Sequence, residues 1–173
     1  METIYFQNAS EIKREKANLE KKLKVSIKIN GRKAEIEGAP IDEYEATRIL
    51  EAMQFGFSAA KALLMLEEDT IFVKLHIRSY TRRKNLKDVR SRIIGREGKT
   101  RRTVEEISGC HILVKESDVG VIGSSEKIED ATTAIINIIK GTKQANAYRY
   151  LERKNVERHS TDLGLKPWKN KEE

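Results

Sequence analysis

The chain has 173 residues and a mass of 19.8 kDa, room for one medium domain or two small ones. With 38 % hydrophobic and 35 % charged residues it is too apolar for a wholly disordered chain, and it holds no run near the ~20 apolar residues of a membrane span. One cysteine excludes an intramolecular disulfide, three histidines leave no basis for a Cys/His zinc site, and a net charge of +7 points to a polyanionic partner.

The N-terminal elements come first. Met1–Phe6 has no basic stretch followed by an apolar one, so no secretory signal is expected and a cytoplasmic chain is the reading. Thr3–Phe6 reads as a short strand, and Ser10–Lys22 as a helix with Ile12, Leu19 and Leu23 inward. Val25, Ile27 and Ile29 alternate as a strand, Asn30-Gly31 makes a hairpin turn, and Ala34 with Ile36 pairs back. Pro40 precedes a helix with Tyr44, Ile49 and Met53 inward, and Ser58–Leu66 reads as a helix linking two halves.

The second half has clearer signals. Ile71, Val73, Leu75 and Ile77 alternate with Lys74, His76 and Arg78, a half-buried strand over Ile71–Tyr80. Leu86, Val89, Ile93 and Ile94 follow at helical spacing, then Gly95-Arg96-Glu97-Gly98. Thr100, Thr103, Val104 and Ile107 mark a second helix, stopped at Ser108-Gly109. Cys110, Ile112 and Val114 read as a strand, Lys115–Asp118 as a turn, and Val119 with Val121 as its return. Gly123-Ser124-Ser125 opens a helix with Ile128, Ala131, Ile135 and Ile138 inward, and Gly141 ends it. A helix through Tyr148–Lys154 then frays into a polar tail holding Trp168. The order is β-α-(GxxG)-α-β-β-α, and the first half repeats it in degraded form, with no glycine between Asn8 and Lys13 where the loop should lie.

The positive charge is not spread evenly. Met1–Tyr80 carries 13 basic and 13 acidic residues, and Val104–Glu173 carries 11 and 12. Thr81–Thr103 carries ten basic residues (Arg82, Arg83, Lys84, Lys87, Arg90, Arg92, Arg96, Lys99, Arg101, Arg102) against Asp88 and Glu97. The excess therefore lies in one segment centred on the glycine loop, the footprint of a nucleic-acid site. Two glycines three apart let the backbone come close to a ligand, and the helix beginning after Gly98 aims its free N–H groups at the same place. Ile93, Ile94 and the strand from Cys110 offer an apolar floor for bases.

Ser91–Gly109 resembles the core of a type I KH domain, whose GxxG loop clamps about four single-stranded nucleotides. More narrowly, Gly56-Phe57-Ser58 leading into Leu63-Leu64, the Arg-Ile-Ile-Gly run and the ending Tyr148–Lys154 are similar to archaeal KH proteins of small-subunit ribosome assembly. These are counterparts of the eukaryotic partner-of-Nob and Krr-type maturation factors. The resemblance covers Thr3–Lys154 and implies an α+β chain of two tandem type I KH domains, β-α-α-β-β-α each, the first degenerate and without a GxxG loop. The division it implies is a degenerate domain over 1–57, a linking helix over 58–70, the loop-bearing domain over 71–141, and a helix with tail over 142–173. It also implies a non-catalytic role in binding single-stranded RNA at the 3′ end of small-subunit rRNA. That role falls on Arg92, Ile94, Gly95, Arg96, Glu97, Gly98, Lys99, Thr100, Arg101 and Arg102, with Arg90 beside them.

Several residues keep alternative readings. Arg82, Arg83 and Lys84 stand evenly between a solvated loop and phosphate contact. Glu97 has no catalytic role, and Glu105-Glu106 read as ordinary surface charge. His111 stands between stacking on a base and a packed or solvent-facing place, the latter favoured. Cys110 is a small buried hydrophobe; Tyr148 and Tyr150 could stack on bases, but at least one packs on the body or meets a partner. No carboxylate pair, Ser/His/Asp set or Walker-type lysine supports an enzyme, and no cofactor or metal is implied. The rival functions are a general single-stranded RNA or DNA regulator, and an adaptor for an endonuclease or a translation initiation factor.

Overall fold

A computed structural model describes residues 1–7 and 9–162. The tail with Trp168 lies outside the described residues. Two compact units emerge, one of residues 1–73 with 122–124, the other of residues 74–121 and 125–162 of the described chain.

In the first unit, β1 (Glu2–Tyr5), β2 (Ser26–Asn30) and β3 (Lys33–Glu37) form an antiparallel sheet of order β1-β3-β2. Gly31, at φ 62°, turns β2 into β3. Helices α1 (Ser10–Leu23) and α2 (Pro40–Phe55), with the short α3 (Ala59–Ala62), supply its apolar residues. Ile12, Leu19, Ile27, Ile36, Ile49 and Leu50 are almost wholly excluded from solvent. The stretch read as a linking helix is α-helical only to Ala62 and continues as a 3-10 turn over Leu63–Leu66. It belongs to this core: Ala59, Ala62 and Leu63 are buried, and the Ala59 N–H donates to Glu11 Oε1 at 3.0 Å.

The chain then runs β4 (Thr70–His76), α4 (Leu86–Ile94), α5 (Lys99–Ser108), β5 (His111–Val114), β6 (Asp118–Ser124), α6 (Ser125–Lys140) and α7 (Gln144–Asp162), all in the second unit except 70–73 of β4 and 122–124 of β6. These strands form a sheet of order β4-β6-β5, so β5 is an edge strand. The strand expected through Tyr80 stops at His76. It gives way to a 3-10 turn over Ile77–Ser79, where the Ile77 N–H donates to Ser117 O at 2.8 Å and keeps its side chain buried.

The expectation of two helices between the first two strands holds for the second unit and fails for the first, where α1 alone joins β1 to β2. Nothing in Ser10–Leu23 breaks a helix, so it runs as one rod with Ile12, Leu19 and Leu23 buried. Beyond that gap the two units agree residue by residue at one fixed offset. Pro40–Phe55 corresponds to Ser125–Lys140, and Gly56 (φ 128°) to Gly141 (φ 116°). The bonds that end these helices match too, Phe57 N–H to Ala52 O at 3.1 Å and Thr142 N–H to Asn137 O at 2.9 Å. At the same offset Ser10–Lys13 stands where the second unit has Gly95–Gly98.

Two further expectations are corrected. Tyr44 is 63 % exposed rather than inward, because α2 turns Ala46, Ile49, Leu50 and Met53 to the core, and Arg48 lies over its ring. The last helix does not fray after Lys154 but continues to Asp162. It is tied down along its length: the Tyr150 hydroxyl donates to Asp130 Oδ1, Asn155 Nδ2 donates to Ile107 O at 2.6 Å, and Arg158 pairs with Asp130.

A carboxylate clamps the edge strand in both units. Ile112 N–H donates to Glu105 Oε1 at 2.7 Å, and Ile27 N–H donates to Glu20 Oε1 at 2.7 Å. Each glutamate also meets a cation one helical turn earlier, Arg101 at 3.3 Å and Lys16 at 3.7 Å. A hydrogen bond to a charged acceptor stabilises by about 1.5–3 kcal/mol. Glu105→Ala should therefore lower unfolding stability by about that much in urea titrations, whereas Glu106→Ala, at an exposed position without a bond to the strand, should change it by less than about 0.5 kcal/mol.

Candidate nucleic-acid interface

The loop between α4 and α5 is built on a close approach. Gly95 has φ 75°, and a Cβ there would stand 2.7 Å from both the Thr100 nitrogen and the Thr100 Cβ, with the Thr100 hydroxyl closer still. The first turn of α5 thus rests on the bare backbone of Gly95, and Thr100 is buried by it. Gly98 differs. Its φ of 77° demands glycine for conformational reasons, but a Cβ would meet nothing within 4 Å. Its open face is where a ligand backbone can approach.

Between them Glu97 adopts φ 52° and ψ 27°, a left-handed conformation costing a non-glycine residue about 1–2 kcal/mol. Three bonds hold the turn, Gly98 N–H to Gly95 O at 3.2 Å, Lys99 N–H to Arg96 O, and Arg102 Nη2 to Glu97 O at 2.7 Å. Gly98 is the N-cap of α5 and no side chain caps the helix, but the free N–H groups expected there are partly spent. Gly98 N–H is bonded to Gly95 O and Lys99 N–H to Arg96 O, so the start of α5 presents chiefly the positive end of the helix dipole.

The sequence-predicted residues divide by what they touch. Arg96, Glu97 and Lys99 are exposed, and among the described residues the Arg96 and Lys99 side chains make no hydrogen bond or ion pair. Ile94 is half-buried beside the loop. The remaining arginines are engaged within the fold. Arg90 donates to Glu116 O at 2.6 Å and Arg92 to Thr142 O at 2.9 Å, beyond the end of α6. Arg101 donates to Glu105 and to Ile112 O, each at 3.3 Å, and Arg102 to the loop carbonyl already described.

The apolar floor is narrower than the sequence implied. Ile93 and Cys110 are 2 % and 1 % exposed and belong to the core, leaving half-buried Ile94, with His111, Leu113 and Val114 of β5, at the surface. Burial raises the Cys110 thiol above its ordinary range, so it is a neutral packing group. Sequence reasoning missed Glu105, taken as surface charge. The signal was its place four residues after Arg101 and at the fixed offset from Glu20, which follows Lys16 in the same way. Among the described residues no three His, Cys, Asp or Glu side chains lie close enough to hold a metal, and no helix is long and apolar enough to cross a membrane.

Comparisons with known proteins were consistent with this geometry. The model of the second KH domain of PNO1, described as a eukaryotic-type KH domain (KH-domain type I), matches residues 72–156. A KH domain-containing protein of Methanocaldococcus jannaschii is 28 % identical over 133 residues, covering 76 % of this chain and 58 % of its own length. The chain spans about half the length of the curated relatives it matches. The crystal structure of Dim2p from Pyrococcus horikoshii superposes with a TM-score of 0.80 at 32 % identity, over 88 % of this chain and 98 % of that one. A complex of a/eIF2alpha, aDim2p and rRNA from the same organism matches at TM-score 0.81 and 30 % identity, over 90 % and 94 % of the two chains.

The two glycines should respond differently to substitution. Gly95→Ala combines the backbone cost with a clash against Thr100 and should lose roughly 3 kcal/mol or more. Gly98→Ala should lose only about 1–2 kcal/mol, from the backbone alone. Equal melting-temperature losses would contradict the contact described. Cys110 should resist iodoacetamide in the native protein and label only as the chain unfolds, a time course read by mass spectrometry.

Proposed function

The chain belongs to the Dim2p and PNO1 family of KH proteins, and from that membership we propose that it binds single-stranded RNA during maturation of the small ribosomal subunit. The observation that carries this reading is the 95–98 loop. Gly95 is filled by the fold, Gly98 is open, and Arg96 and Lys99 stand free beside the uncapped start of α5. A phosphate seated against the bare backbone of Gly98 meets the positive dipole end of α5, while Arg96 and Lys99 neutralise its charge. Bases then lie over Ile94 and the exposed part of β5, where their edges can be read.

Roles follow from the engagements. Gly95 and Thr100 hold the turn, and Arg102 fixes the Glu97 carbonyl within it. Arg101 keeps the edge of β5 in place through Glu105, and Arg90 and Arg92 hold α4 against its neighbours. The chain acts as a clamp, and the cutting of precursor RNA is left to another protein. The first unit reads as a degenerate KH copy that has lost one helix and the loop, which favours packing or protein contact over RNA contact there. One observation supports a protein contact. Ile41 and Tyr44 are 73 % and 63 % exposed on α2, where the second unit carries Glu126 and Glu129 at the same offset. An initiation factor is the partner to test first, since a related chain is found with a/eIF2alpha and rRNA.

The RNA reading is tested by fluorescence anisotropy with the single-stranded 3′ end of the organism's small-subunit rRNA and a scrambled RNA of equal length. The 3′ end should bind tighter, and the preference should persist as salt rises. Gly98→Asp places an anion in the phosphate seat and should abolish binding while the protein still melts cooperatively; retained affinity in the folded variant would sink the clamp. Arg96→Ala with Lys99→Ala should weaken both RNAs alike and lower the salt slope by about 1.4, two contacts at ~0.7 each.

A further inference from the structure

The charge excess that marks the loop in the sequence divides once the side chains are placed. Of the ten basic residues in 81–103, Arg90, Arg92, Arg101 and Arg102 each donate to a backbone carbonyl of the fold. Only Arg96 and Lys99 remain free at the loop. The other uncommitted cations, Arg82, Arg83, Lys84 and Lys87, lie at the opposite end of α4. All four are exposed, and among the described residues their side chains make no hydrogen bond or ion pair.

The one acid of that stretch does not compensate them. Asp88 Oδ2 accepts from Asn85 Nδ2 at 3.2 Å, and the Asn85 side chain also accepts from the Lys87 N–H at 3.0 Å to cap α4. A solvated cationic loop ordinarily carries interspersed carboxylates, whereas uncompensated like charge repels itself unless a polyanion covers it. The geometry continues from this cluster to the loop. Lys87, Ser91 and Ile94 share one face of α4 at helical spacing, with Lys87 and Ser91 exposed and Ile94 half-buried. Nine residues of helix rise roughly 13 Å, the reach of a few nucleotides of extended strand.

We propose that Arg82, Arg83, Lys84 and Lys87 form a second phosphate-binding site for the same RNA strand, continuous with the 95–98 loop along the outer face of α4. The bound RNA then extends beyond the roughly four nucleotides a glycine loop grips by itself. This site rests on the RNA-binding reading above. It supplies sequence-independent affinity, while the loop and β5 sense the bases.

The experiment compares a four-nucleotide RNA with a twelve-nucleotide RNA that carries the same core extended at both ends. Affinities are measured at two salt concentrations for the wild-type chain, the Arg82→Ala/Arg83→Ala/Lys84→Ala variant and Gly98→Asp. Exposed loop side chains are removed, so the triple variant should melt with the wild type. It should bind the long RNA about tenfold more weakly or worse, with the salt slope lower by about 2, and bind the short RNA as before. Gly98→Asp should lose both. Unchanged affinity for the long RNA would overturn the second site and leave a solvated loop. Equal losses on both lengths would overturn it as a separate site. If the wild-type chain bound neither RNA, the RNA-binding reading itself would fall, and this site with it.

Discussion

The seat of α5 on Gly95 is the contact on which the interface depends. A side chain at that position would push the first turn of α5 away through Thr100. The start of the helix would then no longer face the place where Gly98 leaves the surface open. The strained Glu97 backbone fits the same account. It is held by a charged hydrogen bond from Arg102, so a conformation costing ~1–2 kcal/mol is offset locally by a bond of comparable size. The loop is therefore held in shape by its own helix before any ligand arrives, which lowers the ordering cost of binding.

The carboxylate clamps on the edge strands are the second organising device. Edge strands expose N–H and C=O groups that invite pairing with another chain. Glu105 satisfies the Ile112 N–H and Arg101 the Ile112 carbonyl, closing that stretch of β5 from within. Glu20 does the same for the Ile27 N–H, with Lys16 beside it. This device recurs at a fixed offset in both units, as do the helix ends at Gly56 and Gly141. What separates them is the loop. The first unit keeps the clamp and the sheet but runs a continuous helix past the point where a ligand seat would be.

Charge counted along a sequence and charge available at a surface are different quantities. Ten cations against two acids identify the segment, and four of those cations are then consumed by carbonyls of the fold itself. Arginine suits that use because its planar fork can satisfy buried or edge carbonyls while staying charged. The free cations remaining are split between the two ends of α4, which gives the surface a direction rather than a single basic spot.

The sequence by itself determined the element order of the second unit, the place of the glycine loop and the segment holding the excess charge. These are local properties: periodicity, the torsional freedom of glycine and residue type along the chain. It also located the absent loop of the first unit, since Ser10–Lys13 contains no glycine. Only the tertiary structure decided which helix is missing there: at the fixed offset α1 answers to the loop and α5, and the place of α4 is taken by β1. It likewise decided that Ile93 and Cys110 are core while Ile94 is only half-buried, that Tyr44 is exposed, and that Glu105 grips a strand seven residues away. Each of these depends on which face of an element meets a neighbour, and that is fixed by packing between segments distant in sequence. The same reason separates Arg101 from Arg96: both are arginines of one basic run, and only the position of the β5 edge makes one structural and leaves the other free.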